Sequence, residues 1–134
     1  MKQLKIYIDG ASQGNPGPSG VGVVICNAQG KVINKIQRYI GRATNNIAEY
    51  QALICGLTEA LLLKASHLTV YTDSELVANQ MNSKYKVKNA VLQQLYQEAT
   101  HLSNDFKQVE IKHIPRSKNR LADVLAYNSL MQQQ

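Results

Sequence analysis

Near residue 44 the spacing of apolar residues changes from a repeat of two to a repeat of about 3.6, and this change limits the chain to folds that join a strand meander to helices. Leu4 to Ile8 alternates apolar with polar and stops at Asp9-Gly10. Residues 10–20, with four Gly and two Pro, predict a tight turn. Val21 to Cys26 and Lys31 to Ile40 read as two further strands joined by a hairpin loop at Asn27–Gly30. Three strands with short links make an antiparallel meander. From Asn46 to Lys64 the residues Leu53, Ile54, Leu57 and Leu61 fall on one helical stripe. Leu68 to Thr72 is a fourth strand, again ending at an acid, Asp73. Residues 74–82 predict a short helix and 83–88 a basic connection. Asn89 to Asn104 is a helix carrying Val91, Leu92, Leu95, Tyr96, Ala99 and Leu102. Gln108 to Ile114 is a fifth strand ended by Pro115. Ser117 is placed to cap a last helix to about Met131, with Leu121, Val124, Leu125 and Leu130 turned inward. The order βββαβααβα predicts an α/β domain with a five-stranded mixed sheet, the fourth and fifth strands parallel to the first.

A chain of 134 residues, 44% of them hydrophobic, is expected to form one domain with a sizeable core. No apolar stretch approaches the ~18 residues of a membrane span. The N-terminal residues enter a strand pattern without the apolar segment of a signal peptide. Cys26 and Cys55 lie in apolar runs without zinc-like spacing, so both are expected to be reduced core residues of a cytoplasmic protein. The only low-complexity stretch is the three terminal glutamines. A net charge of +6 favours a polyanionic partner. The nine acids matter more, because four of them fall where a folded chain least tolerates a carboxylate.

Asp9 and Asp73 follow strands of similar composition, IYIDG and VYTDS. In open α/β sheets, chemistry gathers outside the carboxyl ends of parallel strands, where these two side chains would meet. Taken singly, each has a local explanation: Asp9 starts a turn, and Asp73 caps a helix. Glu49 lies four residues before Leu53 and eight before Leu57, on the apolar stripe, although a capping box with Asn46 would also explain it. Asp123 sits in the first turn of the last helix, where it complements the helix dipole. Buried like charges cannot all stay ionised without a cation. An oxygen-only cluster without His or Cys suits Mg²⁺ or Mn²⁺ and disfavours zinc.

Four blocks now stand in order along nearly the whole chain: YIDGASQGNPGP from Tyr7, TNNIAEY from Thr44, YTDS from Tyr71 and HIPRSKNRLADVLA from His113. Together they resemble the type 1 ribonucleases H, in their compact branch labelled reverse-transcriptase-like, within the ribonuclease-H-like nucleases. The resemblance implies the ribonuclease-H-like fold and a single catalytic domain over residues 1–134, without the N-terminal hybrid-binding domain of other members. It implies an endoribonuclease that cuts the RNA strand of RNA–DNA hybrids, leaving a 5′ phosphate and a 3′ hydroxyl. The family's acidic tetrad falls on Asp9, Glu49, Asp73 and Asp123, which would hold two divalent ions, Mg²⁺ or alternatively Mn²⁺, ~3.5–4 Å apart. His113, ten residues before Asp123, matches a histidine assigned to proton transfer or product release. Arg116 is placed to steady a phosphate, and Asn119 matches a residue beside the site. Asn15, Asn45 and Asn46, with backbone groups near Gly10, match positions that read 2′-hydroxyls in the minor groove. Thr44 matches one that grips a DNA phosphate.

The resemblance thins at residues 84–88. Some members carry a basic, tryptophan-bearing protrusion there, whereas this chain has no Trp and only Lys84, Tyr85, Lys86 and Lys88. A weaker grip on the hybrid is expected, with double-stranded RNA as an alternative substrate. The competing readings are a nucleic-acid-binding module of the same fold with little turnover and a nuclease acting on a DNA junction or on double-stranded RNA. A monomer without membrane contact is expected in each case.

Overall fold

The structure is a computed structural model that describes residues 2–131, so glutamines 132–134 lie outside it. The elements are β1 (Gln3–Ser12), β2 (Gly17–Asn27), β3 (Val32–Ala43), α1 (Asn45–Leu62), β4 (His67–Thr72), α2 (Glu75–Met81), α3 (Ala90–Ser103), β5 (Gln108–His113), a 3₁₀ turn (Arg116–Lys118) and α4 (Arg120–Met131). They form one five-stranded sheet in the order β3-β2-β1-β4-β5. β2 is antiparallel to β1 and to β3, while β4 runs parallel to β1 and β5 parallel to β4. The predicted element order and mixed sheet are therefore present.

The boundaries differ instructively. β1 does not stop at Asp9 but continues to Ser12, paired with β2 through Gly10↔Val21 and Ser12↔Ser19. The predicted turn over 10–20 shrinks to residues 13–16, because cross-strand pairing accepts Gly, Ser and Pro that propensity alone would assign to a loop. β3 likewise runs on to Ala43.

Alternation along the central strands separates two faces. Leu4, Ile6 and Ile8 of β1, Val21, Val23 and Ile25 of β2, and Leu68 and Val70 of β4 pack with Tyr50, Leu53 and Leu57 of α1 in the main core. Helix α3 adds Leu92, Leu95 and Ala99 to that layer. Val91, another apolar residue of that predicted helix, is exposed.

The opposite face is covered by α4 and is much thinner: Val24, Cys26 and Ala122, with Tyr7 and Leu125 against them. Here the predicted inward set is wrong in part. Leu121 and Val124 are exposed, whereas Ala122, Ala126, Ser129 and Leu130 are buried. The cause lies in β2, where a Cβ on Gly20 would collide with Ser129, and one on Gly22 with the backbone of Ala122 and Ala126. Helix and strand approach so closely that only small residues fit between them, and a search for bulky periodicity misses such a seam. Ser117 does not cap α4 either; it lies in the 3₁₀ turn, and Asn119 precedes the helix.

This seam predicts a contrast between two glycines. Gly22→Ala should lower stability by about 2–3 kcal/mol, because the helix must shift as a unit. Gly30→Ala, in open space at φ +86°, should cost only ~1 kcal/mol of backbone strain. Urea unfolding of the two variants checks this, and equal losses would show that α4 does not rest on β2 as described.

Candidate active site

The parallel ladder between β1 and β4 ends at Ile8↔Thr72, so Asp9 and Asp73 each stand one residue beyond its last pair. Their meeting is a consequence of register. The local explanations for both residues are not what the structure shows. Asp9 lies within a continuing strand, opposite Gly22. Helix α2 is capped by Ser74, whose hydroxyl accepts from the Val77 N–H at 3.2 Å, and Thr72 Oγ1 accepts the Ser74 N–H at 3.0 Å. Asp73 is thereby left free of capping.

Glu49 reaches the same point from α1. The helix is capped by Thr44, whose Oγ1 accepts the Ile47 N–H at 3.2 Å, so no capping box joins Asn46 to Glu49. Instead Glu49 Oε1 accepts the backbone N–H of Gly10 at 2.5 Å. That bond needs glycine, since a Cβ on Gly10 would collide with the backbone of Ala48 and Glu49. Asp9, Glu49 and Asp73 each offer a carboxylate oxygen within 4.8 Å of the others.

Asp123 approaches from α4 without joining that cluster. It makes a hydrogen-bonding contact with Asp9, and its Oδ1 lies 3.7 Å from Arg116 Nη2. The predicted tetrad is thus three converging acids plus one at the rim, paired with the guanidinium predicted to handle phosphate.

Asp9 and Glu49 are 5% and 6% exposed. Burial first, then the Glu49 charge, the Asp123 contact and the Asp73 charge, hold the Asp9 carboxyl well above the ordinary carboxylate range. Burial also raises Glu49, opposed by hydrogen bonds from Gly10 and Asp9. Asp9, Glu49 and Asp73 could together hold a cation, which would relieve their mutual repulsion. The all-oxygen donor set fits a hard divalent ion.

A cleft of about 510 Å³ opens over these acids, and Gly10, Asn45, Asn46 and Arg116 line it with them. Asn45 and Asn46 are exposed. Asn15 stands across the β1–β2 turn, its Oδ1 accepting the Asn45 N–H at 3.0 Å, so the turn and the start of α1 form one surface. Glu75 and Ser12 also line the cleft. Sequence reasoning missed both, because neither breaks an apolar pattern.

Two predicted residues fall elsewhere. His113 ends β5 in register with Thr72, and alternation groups it with Val109 and Ile111 rather than with Tyr71 and Asp73. It is exposed and does not line the cleft. Asn119, predicted to touch substrate, is 1% exposed and lies beneath the cleft.

Comparison with known proteins agrees with this geometry. A family model described as reverse transcriptase-like matches residues 7–129. The bifunctional protein Rv2228c of Mycobacterium tuberculosis is 43% identical over 129 residues, which cover 96% of this chain. This chain spans about a third of that relative's length, 35%. Ribonuclease H1 of the halophilic archaeon Halobacterium salinarum superposes with a TM-score of 0.95 at 37% identity, covering 97% of this chain and 98% of the other. LC11 ribonuclease H1, solved in complex with an RNA/DNA hybrid, gives 0.92 at 36% identity, covering 97% and 98%. A match over nearly the whole chain, on a shared sheet order, means that this chain belongs to the reverse transcriptase-like family and has the fold of the type 1 ribonucleases H.

Proposed function

We propose that the chain is a metal-dependent ribonuclease H that hydrolyses the RNA strand of RNA–DNA hybrids. The observation that carries this reading is the convergence of Asp9, Glu49 and Asp73 within 4.8 Å, under a cleft open to a large ligand. The hybrid-bound LC11 relative supports the substrate class.

Asp9, Glu49 and Asp73 would hold divalent ions, Mg²⁺ or Mn²⁺, with Asp123 completing a two-ion site. Such ions supply water activation and charge stabilisation at the phosphate, leaving 5′-phosphate and 3′-hydroxyl products. The Gly10 N–H fixes one Glu49 oxygen, which orients the carboxylate before any ligand arrives. Arg116, with a largely exposed side chain, is free to leave Asp123 for a phosphate oxygen. Asn15, Asn45 and Asn46 present amides along one rim, suited to 2′-hydroxyls of the RNA strand. Thr44 accepts through its oxygen, so its hydroxyl proton remains to bind a DNA phosphate. The buried free thiols of Cys26 and Cys55 suit a reducing, cytoplasmic setting, and the domain is read as acting as a monomer.

The direct test is incubation with labelled RNA–DNA hybrid, double-stranded RNA and double-stranded DNA, with Mg²⁺, with Mn²⁺ and with chelator. Hybrid should be cut in either ion and never in chelator, and Asp9→Asn and Asp73→Asn should each lower the rate at least ~100-fold, about 2.7 kcal/mol of barrier. DNA duplex cut as fast as hybrid would overturn the substrate assignment.

The raised carboxyls predict an unusual pH response of the metal-free protein. Folded Asp9 and Glu49 keep protons that the unfolded chain releases near pH 4. Their stabilising effect is therefore complete below that pH and is lost as the pH climbs through about 7 for Glu49 and about 10 for Asp9. Asp9→Asn should raise the metal-free melting temperature at pH 8 by roughly 4–8 °C, about 1–2 kcal/mol, with less gain at pH 5. Mg²⁺ should stabilise wild type more at pH 8 than at pH 5. A pH-independent gain in calorimetry would show that the cluster is not strained by its charge.

Grip and chemistry separate on two further variants. Lys84 and Lys86 are exposed on the loop between α2 and α3, lining a shallow groove with Tyr85 and Tyr96, and Lys88 follows them on the same loop. Replacing all three with Gln should raise KM, spare kcat and flatten the salt dependence of binding. His113→Ala should lower kcat with little change in KM. Kinetics at two salt concentrations read both; full kcat in the alanine variant would exclude His113 from the reaction.

A further inference from the structure

We infer that Asn119 is a positioning residue that ties together the three elements carrying Asp9, Asp73 and Asp123, rather than a contact to substrate. The inference rests on the proposed reading of these acids as metal ligands. The Asn119 side-chain amide donates to the Ile8 carbonyl at 2.8 Å, one residue before Asp9, and reaches Asp73 Oδ2 at 3.3 Å. Its backbone carbonyl accepts the Asp123 N–H at 3.1 Å, and its own N–H donates to the Arg116 carbonyl at 2.9 Å. One residue therefore links β1, the end of β4, the loop carrying Arg116 and the first turn of α4.

The orientation of the amide follows from its partners. Ile8 offers a carbonyl and Asp73 a carboxylate, so both require a donor, and the opposite orientation would set oxygen against oxygen twice. The consequence is that Asn119 Oδ1 is buried without a hydrogen-bond partner. An unpaired acceptor in the interior works against folding, so the amide is present for its donors at the expense of its acceptor. Holding one Asp73 oxygen fixes the plane of that carboxylate and leaves its other oxygen to face a cation. The bond to Ile8 occupies a strand carbonyl just where the β1–β4 ladder ends. With 1% exposure, Asn119 has no surface to offer a nucleic acid.

The test measures Mn²⁺ binding to the full chain by paramagnetic resonance or calorimetry, without substrate, for wild type, Asn119→Ala and Asn119→Leu. Leucine keeps asparagine's branching and its number of side-chain heavy atoms and leaves no cavity, so comparing it with alanine separates loss of the donors from creation of a cavity. Both variants should bind Mn²⁺ at least ~10-fold more weakly, as loss of a supporting hydrogen bond does at metal sites. Hybrid binding measured in chelator should be unchanged. Excess Mn²⁺ should restore kcat towards wild type at unchanged KM, which general loosening of the fold would not do. Unaltered Mn²⁺ affinity in both variants overturns the inference, as does weakened hybrid binding in chelator with normal Mn²⁺ affinity. If wild type binds Mn²⁺ but cuts no hybrid, while both variants lose Mn²⁺ affinity, the proposed activity falls and the positioning role stands.

Discussion

Everything at the active end of the molecule depends on where one parallel ladder stops. β1 and β4 pair from Gln3↔His67 to Ile8↔Thr72 and then part, leaving Asp9 and Asp73 as neighbours with no further strand partner between them. β1 can continue past this point only because β2 still supports it, from Asp9↔Gly22 to Ser12↔Ser19. Asp9 is thus held on a rigid strand while its other flank is open to Asp73, Glu49 and Asp123. A strand that ended at Asp9 would deliver the same carboxylate on a loose end. Two glycines permit the arrangement: Gly10 lets the backbone of α1 come close enough for the Glu49 bond, and Gly22 lets α4 settle on β2.

The cluster is unfavourable for folding, and the rest of the chain offsets it. Buried carboxylates held above their ordinary range work against the folded state at neutral pH. The main core supplies the compensation, with Ile6, Ile8, Val23, Leu53 and Leu57 buried almost completely between the sheet and α1. Tyr50, the residue after Glu49 in α1, shows the alternative treatment of a buried polar group: its hydroxyl donates to Gln80 Oε1 at 2.6 Å and is satisfied. Among the described residues, the partners of the acids outside their own group are Gly10, Asn119 and Arg116. Strain of this kind marks function more reliably than burial alone.

Most of this was legible in the sequence, for reasons that can be named. Period-two and period-3.6 segments alternate clearly, so the element order followed. The acids were visible because each interrupts an apolar context, as Glu49 does on the Leu53–Leu57 stripe. What escaped were features set by tertiary pairing. The extension of β1 through Gly10–Ser12 depends on β2, which no local pattern announces. The inward face of α4 is Ala122, Ala126 and Ser129 because glycines lie opposite, and small residues carry no periodic signal of their own. Asn119 matched a family position, yet only the structure shows that it is buried and faces Ile8 and Asp73. His113 was placed by its spacing to Asp123, but strand alternation decides which way it faces.

The charge balance of the chain closes the functional argument. The net charge is +6, yet five of the nine acids line one cleft beside Arg116, which leaves four acids among fourteen basic residues elsewhere. A polyanion is drawn to such a surface by its overall field and repelled at the one place where chemistry would occur. Neither tendency is useful alone: attraction without a reactive centre gives a binding module, and a bare acidic cleft excludes phosphate. On the proposed reading, cations held by the acids would reconcile the two, because they would turn the repulsive centre into the strongest local attraction for a phosphate oxygen. Arg116 shows the same logic in the protein's own chemistry. Its guanidinium rests against Asp123 at 3.7 Å, a separation at which an exposed pair is weakly held and readily exchanged for a doubly charged ion on one side and a phosphate on the other. On the proposed reading, the acids hold the ions, and the surrounding basic surface delivers the nucleic acid to them.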